Sequence, residues 1–257
     1  MLAEIPARTA ACEGDFASHR EEHRAAEGVA VQEGLIGETM PPAQTIIEEN
    51  GIQFALDLTT GQKTGFFLDQ RENRLAAARY AKGARVLDMF CYTGGFGLTA
   101  AKVGGAQSVL GIDGSQKAVD QANANASLNG LSQCTFETGD GFDRLDAIRT
   151  AGEQYDLVVL DPPKFSRNRS QLNQALMAYH RLNRSGVSVL RPGGILVTCS
   201  CSGTVGRDDF LDMLSGVAQK SKRELQILEV RGAAPDHPFQ ATCLESEYLK
   251  CVIARVL

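Results

Sequence analysis

At 257 residues the chain has room for one large domain, or for one with a small attachment. A hydrophobic content of 43% is ordinary for a globular protein, and no apolar run approaches the length of a membrane span. The formal net charge of −5 lacks the basic excess that advertises nucleic-acid binding, and the seven cysteines are scattered and odd in number with no Cys-x-x-Cys, which favours reduced thiols over a disulfide framework or a zinc site.

The opening stretch MLAEIPARTAACEGDF has no basic region followed by an apolar core, so no secretion signal is expected. Residues 1–24 are polar and rich in Ala and Glu without an apolar period, and are expected to form a frayed or helical N-terminal arm. Residues 25–70 hold short apolar or alternating runs at Val29 to Val31, Thr45 to Ile47, Ile52 to Leu58 and Phe66 to Leu68. The turn signals Pro41-Pro42, Asn50-Gly51 and Thr60-Gly61 separate them. Asn-Gly between two such runs is a hairpin signal. This stretch therefore reads as a small antiparallel β unit, and 71–257 as the main domain. Gln70 to Ala81 reads as a connecting helix closed by Gly83.

From Ala84 onward strands and helices alternate. Strand Val86–Phe90 precedes helix Phe96–Val103, and strand Ser108–Asp113 precedes helix Gln116–Asn129. Strand Cys134–Thr138 precedes helix Gly141–Ala151, and strand Leu157–Asp161 precedes a helix from about Arg169 to Leu190. Arg191-Pro192-Gly193-Gly194 is expected to break that helix before strand Ile195–Ser200 and helix Asp208–Gln219. Two last strands, Leu225–Val230 and Tyr248–Val256, have no helix between them. This alternation predicts an α/β fold with a mostly parallel, doubly wound sheet and an antiparallel C-terminal edge.

Ligands of such sheets bind at the carboxyl ends of the strands. That rule selects Asp88, Asp113, Gly139-Asp140, Asp161 and Ser200-Cys201. The stretch ARVLDMFCYTGGFG, from Ala84 to Gly97, is a buried strand feeding a glycine turn and a helix, where the backbone approaches a ligand closely. Gly95-x-Gly97-x-x-Ala100 formally satisfies a dinucleotide fingerprint. Asp88 argues against a pyrophosphate and for a cofactor that is cationic nearby, such as S-adenosylmethionine. Asp113 suits the ribose hydroxyls or a helix N-cap, and Asp140 the adenine amino group or another N-cap.

Asp161-Pro162-Pro163-Lys164-Phe165 follows the apolar run Val158 to Leu160. Two prolines fix the backbone direction and remove two N–H groups, and Phe165 is available to stack on a flat base. Lys164, Arg167 and Arg169, and likewise Lys63, Arg71 and Arg74, are close enough in sequence to form local basic surfaces or simply solvated loops. Cys199 and Cys201 point to one face of the fifth strand of the main domain, with Cys201 nearer its mouth. A buried structural cysteine is the alternative for Cys199. A thiolate adding to carbon 6 of a pyrimidine would make carbon 5 nucleophilic toward a methyl group, which is covalent catalysis. Asp161 is placed to bind the Watson–Crick edge of cytosine.

At these residues the sequence resembles the RlmI-like large-subunit ribosomal RNA cytosine methyltransferases. The blocks are Lys63-Thr-Gly-Phe-Phe-Leu-Asp-Gln-Arg71, Phe90-Cys-Tyr-Thr-Gly-Gly-Phe96, Asp161-Pro-Pro-Lys-Phe165, Ser200-Cys-Ser-Gly203, Asp236-His237-Pro238 and Tyr248-Leu-Lys250. The resemblance implies a Rossmann-like class I methyltransferase that uses S-adenosylmethionine on RNA, ribosomal in origin. It implies that Gln70 and Arg71 hold the methionine end of the cofactor, that Asp88, Phe90, Tyr92, Thr93, Gly94 and Gly95 surround the donor, and that Asp113 and Asp140 hold ribose and adenine. Asp161 would serve both sides of the reaction, Pro162, Pro163, Lys164 and Phe165 the substrate, and Cys201 the nucleophile's place. Cys199 stands where the family is expected to carry phenylalanine. The family's usual N-terminal PUA domain is expected to be missing, because the residues before Lys63 resemble only its β-hairpin linker. No metal and no membrane are expected; a cytoplasmic location and a homodimer are.

Overall fold

The structure, a computed structural model, describes residues 15–17, 34–36, 45–56, 65–166, 168–243 and 246–257. The Val29–Val31 run, Pro41-Pro42, Thr60-Gly61, Lys63, Thr64 and Arg167 lie outside those residues. The chain divides into two units, one of Met1–Ile47 with Ala55–Phe67 and one of Glu48–Phe54 with Leu68–Leu257.

In the first unit, β1 (Asp15–Ala17) pairs antiparallel with β2 (Gly34–Ile36), Asp15 lying opposite Ile36. β1 falls in the stretch expected to be frayed or helical; three residues are too few to show an alternating period. Strands β3 (Thr45–Glu49) and β4 (Ile52–Leu56) form a hairpin around Asn50-Gly51. Both turn residues have positive φ, 53° and 75°, the conformation a two-residue hairpin turn demands and Asn-Gly supplies. The Phe66–Leu68 run is not extended. Leu68–Gln70 is a single 3-10 turn that runs into α1 (Arg71–Ala78) and buries the side chains of Asp69 and Gln70.

The second unit carries a seven-stranded sheet. Its strands are β5 (Arg85–Met89), β6 (Ser108–Asp113), β7 (Cys134–Thr138), β8 (Tyr155–Leu160), β9 (Leu190–Ser200), β10 (Leu225–Arg231) and β11 (Lys250–Val256). Their order is β10-β11-β9-β8-β5-β6-β7. From β9 to β7 neighbours run parallel; β11 runs antiparallel to both β9 and β10. The helices between strands are α2 (Gly95–Lys102), α3 (Gln116–Leu128), α4 (Gly141–Thr150), α5 (Leu172–Ser188) and α6 (Arg207–Ser221).

The central strands read as continuous apolar runs because both faces are covered, as parallel sheets require. Leu87, Leu157, Leu160, Leu196 and Val197 are all fully buried. Around Tyr179, Leu182, Phe210 and Leu214 of α5 and α6 the core continues onto one face of the sheet. Arg191 to Gly194 do not merely break a helix. α5 ends at Ser188, and β9 already begins at Leu190, pairing with Tyr155 before a register shift beyond it. The sequence order reverses between β5 and β8, and β5 to β7 run one way from that point and β8 to β9 the other. This is the switch point at which a doubly wound sheet opens a crevice at its strand ends.

Candidate active site

Three carboxylates stand at the carboxyl ends of β5, β6 and β8. Asp88 is 1% exposed; its Oδ2 accepts from the Gly97 N–H at 2.8 Å, and its Oδ1 has no hydrogen-bond partner among the described residues. Burial pushes this carboxyl up to about 7, the Gly97 N–H opposes the rise, and the fields of Asp161 and Asp113 add to it. Asp113 accepts the backbone N–H of Tyr92 at 3.0 Å on one oxygen and of Ser115 at 2.9 Å on the other. It thus fixes the turn after β5, leaving the remaining lone pairs of each oxygen for a ligand. The N-cap of α3 is Ser115, whose hydroxyl accepts from the Ala118 N–H. Asp140 is exposed and caps α4, its Oδ1 accepting from Phe142 at 2.9 Å and Asp143 at 3.1 Å.

The loop between β5 and α2 is shaped by unusual backbone. Phe90 and Tyr92 hold positive φ at 63° and 48°, and Gly94 at 88° starts α2. A side chain at Gly97 would lie 2.8 Å from Val109 Cγ1 and 3.1 Å from Asp88 Oδ2, so the helix start can sit against β5 and β6 only as glycine. Beneath Gly95 runs Arg74, which is 3% exposed and donates twice at 2.7 Å to Glu49 of the hairpin tip. Arg74 is therefore not part of a basic surface. Arg71 is half-exposed and pairs with Asp236 at 2.9 Å, whereas Lys164 and Arg169 are exposed.

The 3-10 turn brings Gln70 to this place. Its Nε2 donates to Asp161 Oδ2 at 3.0 Å, and its Oε1 accepts from Asn73 at 2.7 Å. Pro162 is buried beyond Asp161, Pro163 and Lys164 are exposed, and Phe165 tilts against Tyr179 with ring centres 4.7 Å apart.

Cys199 and Cys201 part company. Cys199 is fully buried, directly opposite Cys251 in the β9–β11 ladder. The Cys251 thiol and burial together push the Cys199 thiol well above the usual range. Cys201 lies just beyond β9 and is half-buried. The turn around it is tightly held. Tyr179 Oη lies 3.0 Å from Ser200 Oγ and 3.1 Å from Ser202 Oγ, and Lys250 Nζ donates to the Ser202 carbonyl at 2.6 Å and to that of Tyr248 at 2.9 Å. Tyr248 in turn donates to Asp69 at 2.7 Å. In the sequence Tyr248 and Lys250 stand only as the ends of the block Tyr248-Leu-Lys250, and nothing marks Tyr179. A lysine heading the apolar run Cys251 to Ala254 is the signal for one of them. A cavity of about 340 Å³ adjoins Tyr248 and is also lined by Arg207, Ala234, His237, Phe239 and Leu249.

A cluster of three acids with an unpartnered oxygen, in front of a glycine cradle, fits a ligand that carries positive charge beside its sugar and base. It does not fit a pyrophosphate. Among the described residues no group of three or more His, Cys, Asp or Glu could hold a metal ion.

The mostly parallel sheet, its antiparallel edge and the glycine loop after β5 define a Rossmann-like class I methyltransferase fold. The chain belongs to the S-adenosylmethionine-dependent methyltransferase family, whose model matches residues 2–244. It is 46% identical over 235 residues to the ribosomal RNA large subunit methyltransferase I of Shewanella denitrificans, covering 91% of this chain and 59% of that protein. The protein of the same name from Tolumonas auensis is 45% identical over 237 residues, with the same coverage. A methyltransferase-class crystal structure solved with SAH superposes with a TM-score of 0.77 at 28% identity, covering 87% of this chain and 58% of that one. The chain thus spans about three-fifths of the length of the relatives it matches.

Proposed function

We propose that this chain transfers a methyl group from S-adenosylmethionine to carbon 5 of a cytosine in large-subunit ribosomal RNA, through a covalent link to Cys201. One observation carries the choice of chemistry. Of the two cysteines at the end of β9, Cys201 is the one held in a braced, half-buried turn at the strand's mouth, while Cys199 is sealed against Cys251. Base-nitrogen or oxygen methylation would need no such thiol. The names of the relatives support the RNA acceptor.

In this reading Gln70 and Arg71 hold the methionine end of the cofactor, and Asp88, Phe90, Tyr92, Thr93, Gly94 and Gly95 surround its centre. Asp113 accepts from the ribose, Asp140 lies by the adenine, and Asp161 faces both cofactor and base. The cofactor supplies an electrophilic methyl carried on a sulfonium. The Cys201 thiolate adds to carbon 6 of the cytosine, and electrons of the carbon 5–carbon 6 bond move to carbon 5. Carbon 5 then takes the methyl, loses its proton to a base, and the Cys201–carbon 6 bond breaks to restore the thiolate. Pro162, Pro163 and Lys164 orient the substrate, and Phe165 stacks on its base. The reading includes an arm at 1–24, a β unit at 25–70, a catalytic domain at 71–257, a cytoplasmic location and a homodimer.

The experiment is transfer of labelled methyl from S-adenosylmethionine to unmodified large-subunit ribosomal RNA. Wild type and Cys199→Ala should label one cytosine at carbon 5, and Cys201→Ala should not. Labelling that persists in Cys201→Ala would move the function to another acceptor atom.

A further inference from the structure

Lys250 is the only lysine among the buried polar residues described, at 1% exposed. It opens β11 directly opposite Ser200, the last residue of β9, so that its side chain enters the turn that carries Cys201. Its ammonium gives one proton to the Ser202 carbonyl at 2.6 Å and one to the Tyr248 carbonyl at 2.9 Å. Two neutral carbonyls alone do not offset the cost of burying a full charge. Tying a turn together would be served as well by a neutral donor. The ionisable groups around this ammonium are the Cys201 thiol, one residue before the Ser202 carbonyl it holds, and the carboxyls of Glu247 and Asp209, with Lys164 opposing. Cys201 also lies within the field of the Tyr179 and Tyr248 hydroxyls, neither of which carries positive charge.

Resting on Cys201 as the attacking thiol, we propose that Lys250 is a positioning residue that braces the Ser200–Ser202 turn and supplies the positive charge that keeps Cys201 as a thiolate. The thiol proton leaves to solvent, Lys250 keeps its three protons, and no bond forms to it. Burial lowers the ammonium to about 8, which leaves it mostly charged at neutral pH. A cation beside a thiol is the usual means of favouring the reactive anion.

The test is alkylation of the full chain by iodoacetamide, without cofactor or RNA, read cysteine by cysteine by peptide mass spectrometry. The exposed Cys243 serves as internal reference. On the acid side of neutrality, below the thiol's own pKa, Lys250→Met should slow alkylation of Cys201 about tenfold, the equivalent of one pH unit of thiol ionisation, and leave Cys243 unchanged. Lys250→Arg, which keeps the charge, should recover most of the rate. A Cys201 rate within about twofold of wild type in folded Lys250→Met would overturn the proposal. If Lys250→Met fails to fold, wild type decides. The ratio of Cys201 to Cys243 alkylation should be highest on the acid side of neutrality and fall as pH rises; a ratio that stays constant with pH overturns the proposal. Because no RNA takes part, failure here leaves cysteine-linked methyl transfer standing, and failure of that reaction leaves the alkylation result intact.

Discussion

Gln70 donates through Nε2 to Asp161 Oδ2 at 3.0 Å, joining a residue that precedes the sheet to the loop that follows β8. The amide is held from behind by Asn73, and only 3% of Gln70 is exposed. Gln70→Glu would set a second carboxylate against Asp161 in a site already crowded with Asp88 and Asp113. Like charges at such distances repel by more than 1 kcal/mol where water is scarce. S-adenosylmethionine affinity, measured by calorimetric titration, should fall about tenfold in Gln70→Glu. Unchanged affinity would separate this hydrogen bond from the cofactor site.

Asp88 gives the fold a pH dependence of defined sign. Its folded carboxyl is raised from 3.8 to about 7, burial being the main cause. Below the lower value both folded and unfolded chains hold the proton and the carboxyl costs nothing. Between about 4 and 7 the unfolded chain ionises first, so stability falls as pH rises, and the full cost is present above about 7. Raising the carboxyl from 3.8 to about 7 corresponds to on the order of 4 kcal/mol. Asp88→Asn keeps an oxygen for the Gly97 N–H and removes the charge. Denaturant unfolding of the cofactor-free chain should show wild type losing stability relative to Asp88→Asn across that window, and parallel curves would refute the assignment.

Much of the sheet was legible because parallel strands buried on both faces are continuous apolar runs bounded by glycine. Ser108–Asp113 and Cys134–Thr138 stand where the sequence puts them. The carboxylates at strand ends followed from the same reading. What was not legible depends on partners far apart in the chain. Glu49 and Arg74 carry no local sign that they form one buried pair, and Arg74 read as one more surface cation. Cys199 and Cys201 shared a strand face on alternation alone, yet β9 ends between them and only the pairing with β11 shows that Cys199 meets Cys251. The role of Lys250 likewise exists only once β11 lies beside β9.

Glu49 and Arg74 are 4% and 3% exposed at the side chain and lie 2.7 Å apart. Removing one partner of a buried pair costs roughly 3–5 kcal/mol, because the other charge is left without compensation. Glu49→Ala should therefore lower stability by about that amount. It should also weaken S-adenosylmethionine binding, since Arg74 supports Gly95 from below. Thermal unfolding together with cofactor titration checks both. Loss of neither would show the pair to be incidental.

Gly97 is the residue that lets α2 start against β5. Gly97→Ala places a methyl carbon 2.8 Å from Val109 Cγ1 and 3.1 Å from Asp88 Oδ2. Overpacking of this kind costs typically about 1–3 kcal/mol. The variant should fold less stably and bind S-adenosylmethionine more weakly, and wild-type affinity in an equally stable variant would contradict the account of this loop.

The central claim, a covalent bond from Cys201 to a cytosine in RNA, is tested most directly with large-subunit ribosomal RNA in which cytosine is replaced by 5-fluorocytosine. Fluorine stands where a proton must leave, so the Cys201–carbon 6 bond should persist after methyl transfer. With radiolabelled S-adenosylmethionine, wild type and Cys199→Ala should each form a denaturation-resistant, labelled protein–RNA complex, and Cys201→Ala should form none. A complex that survives in Cys201→Ala and disappears in Cys199→Ala, or none at all from a preparation that binds the cofactor, would contradict the claim.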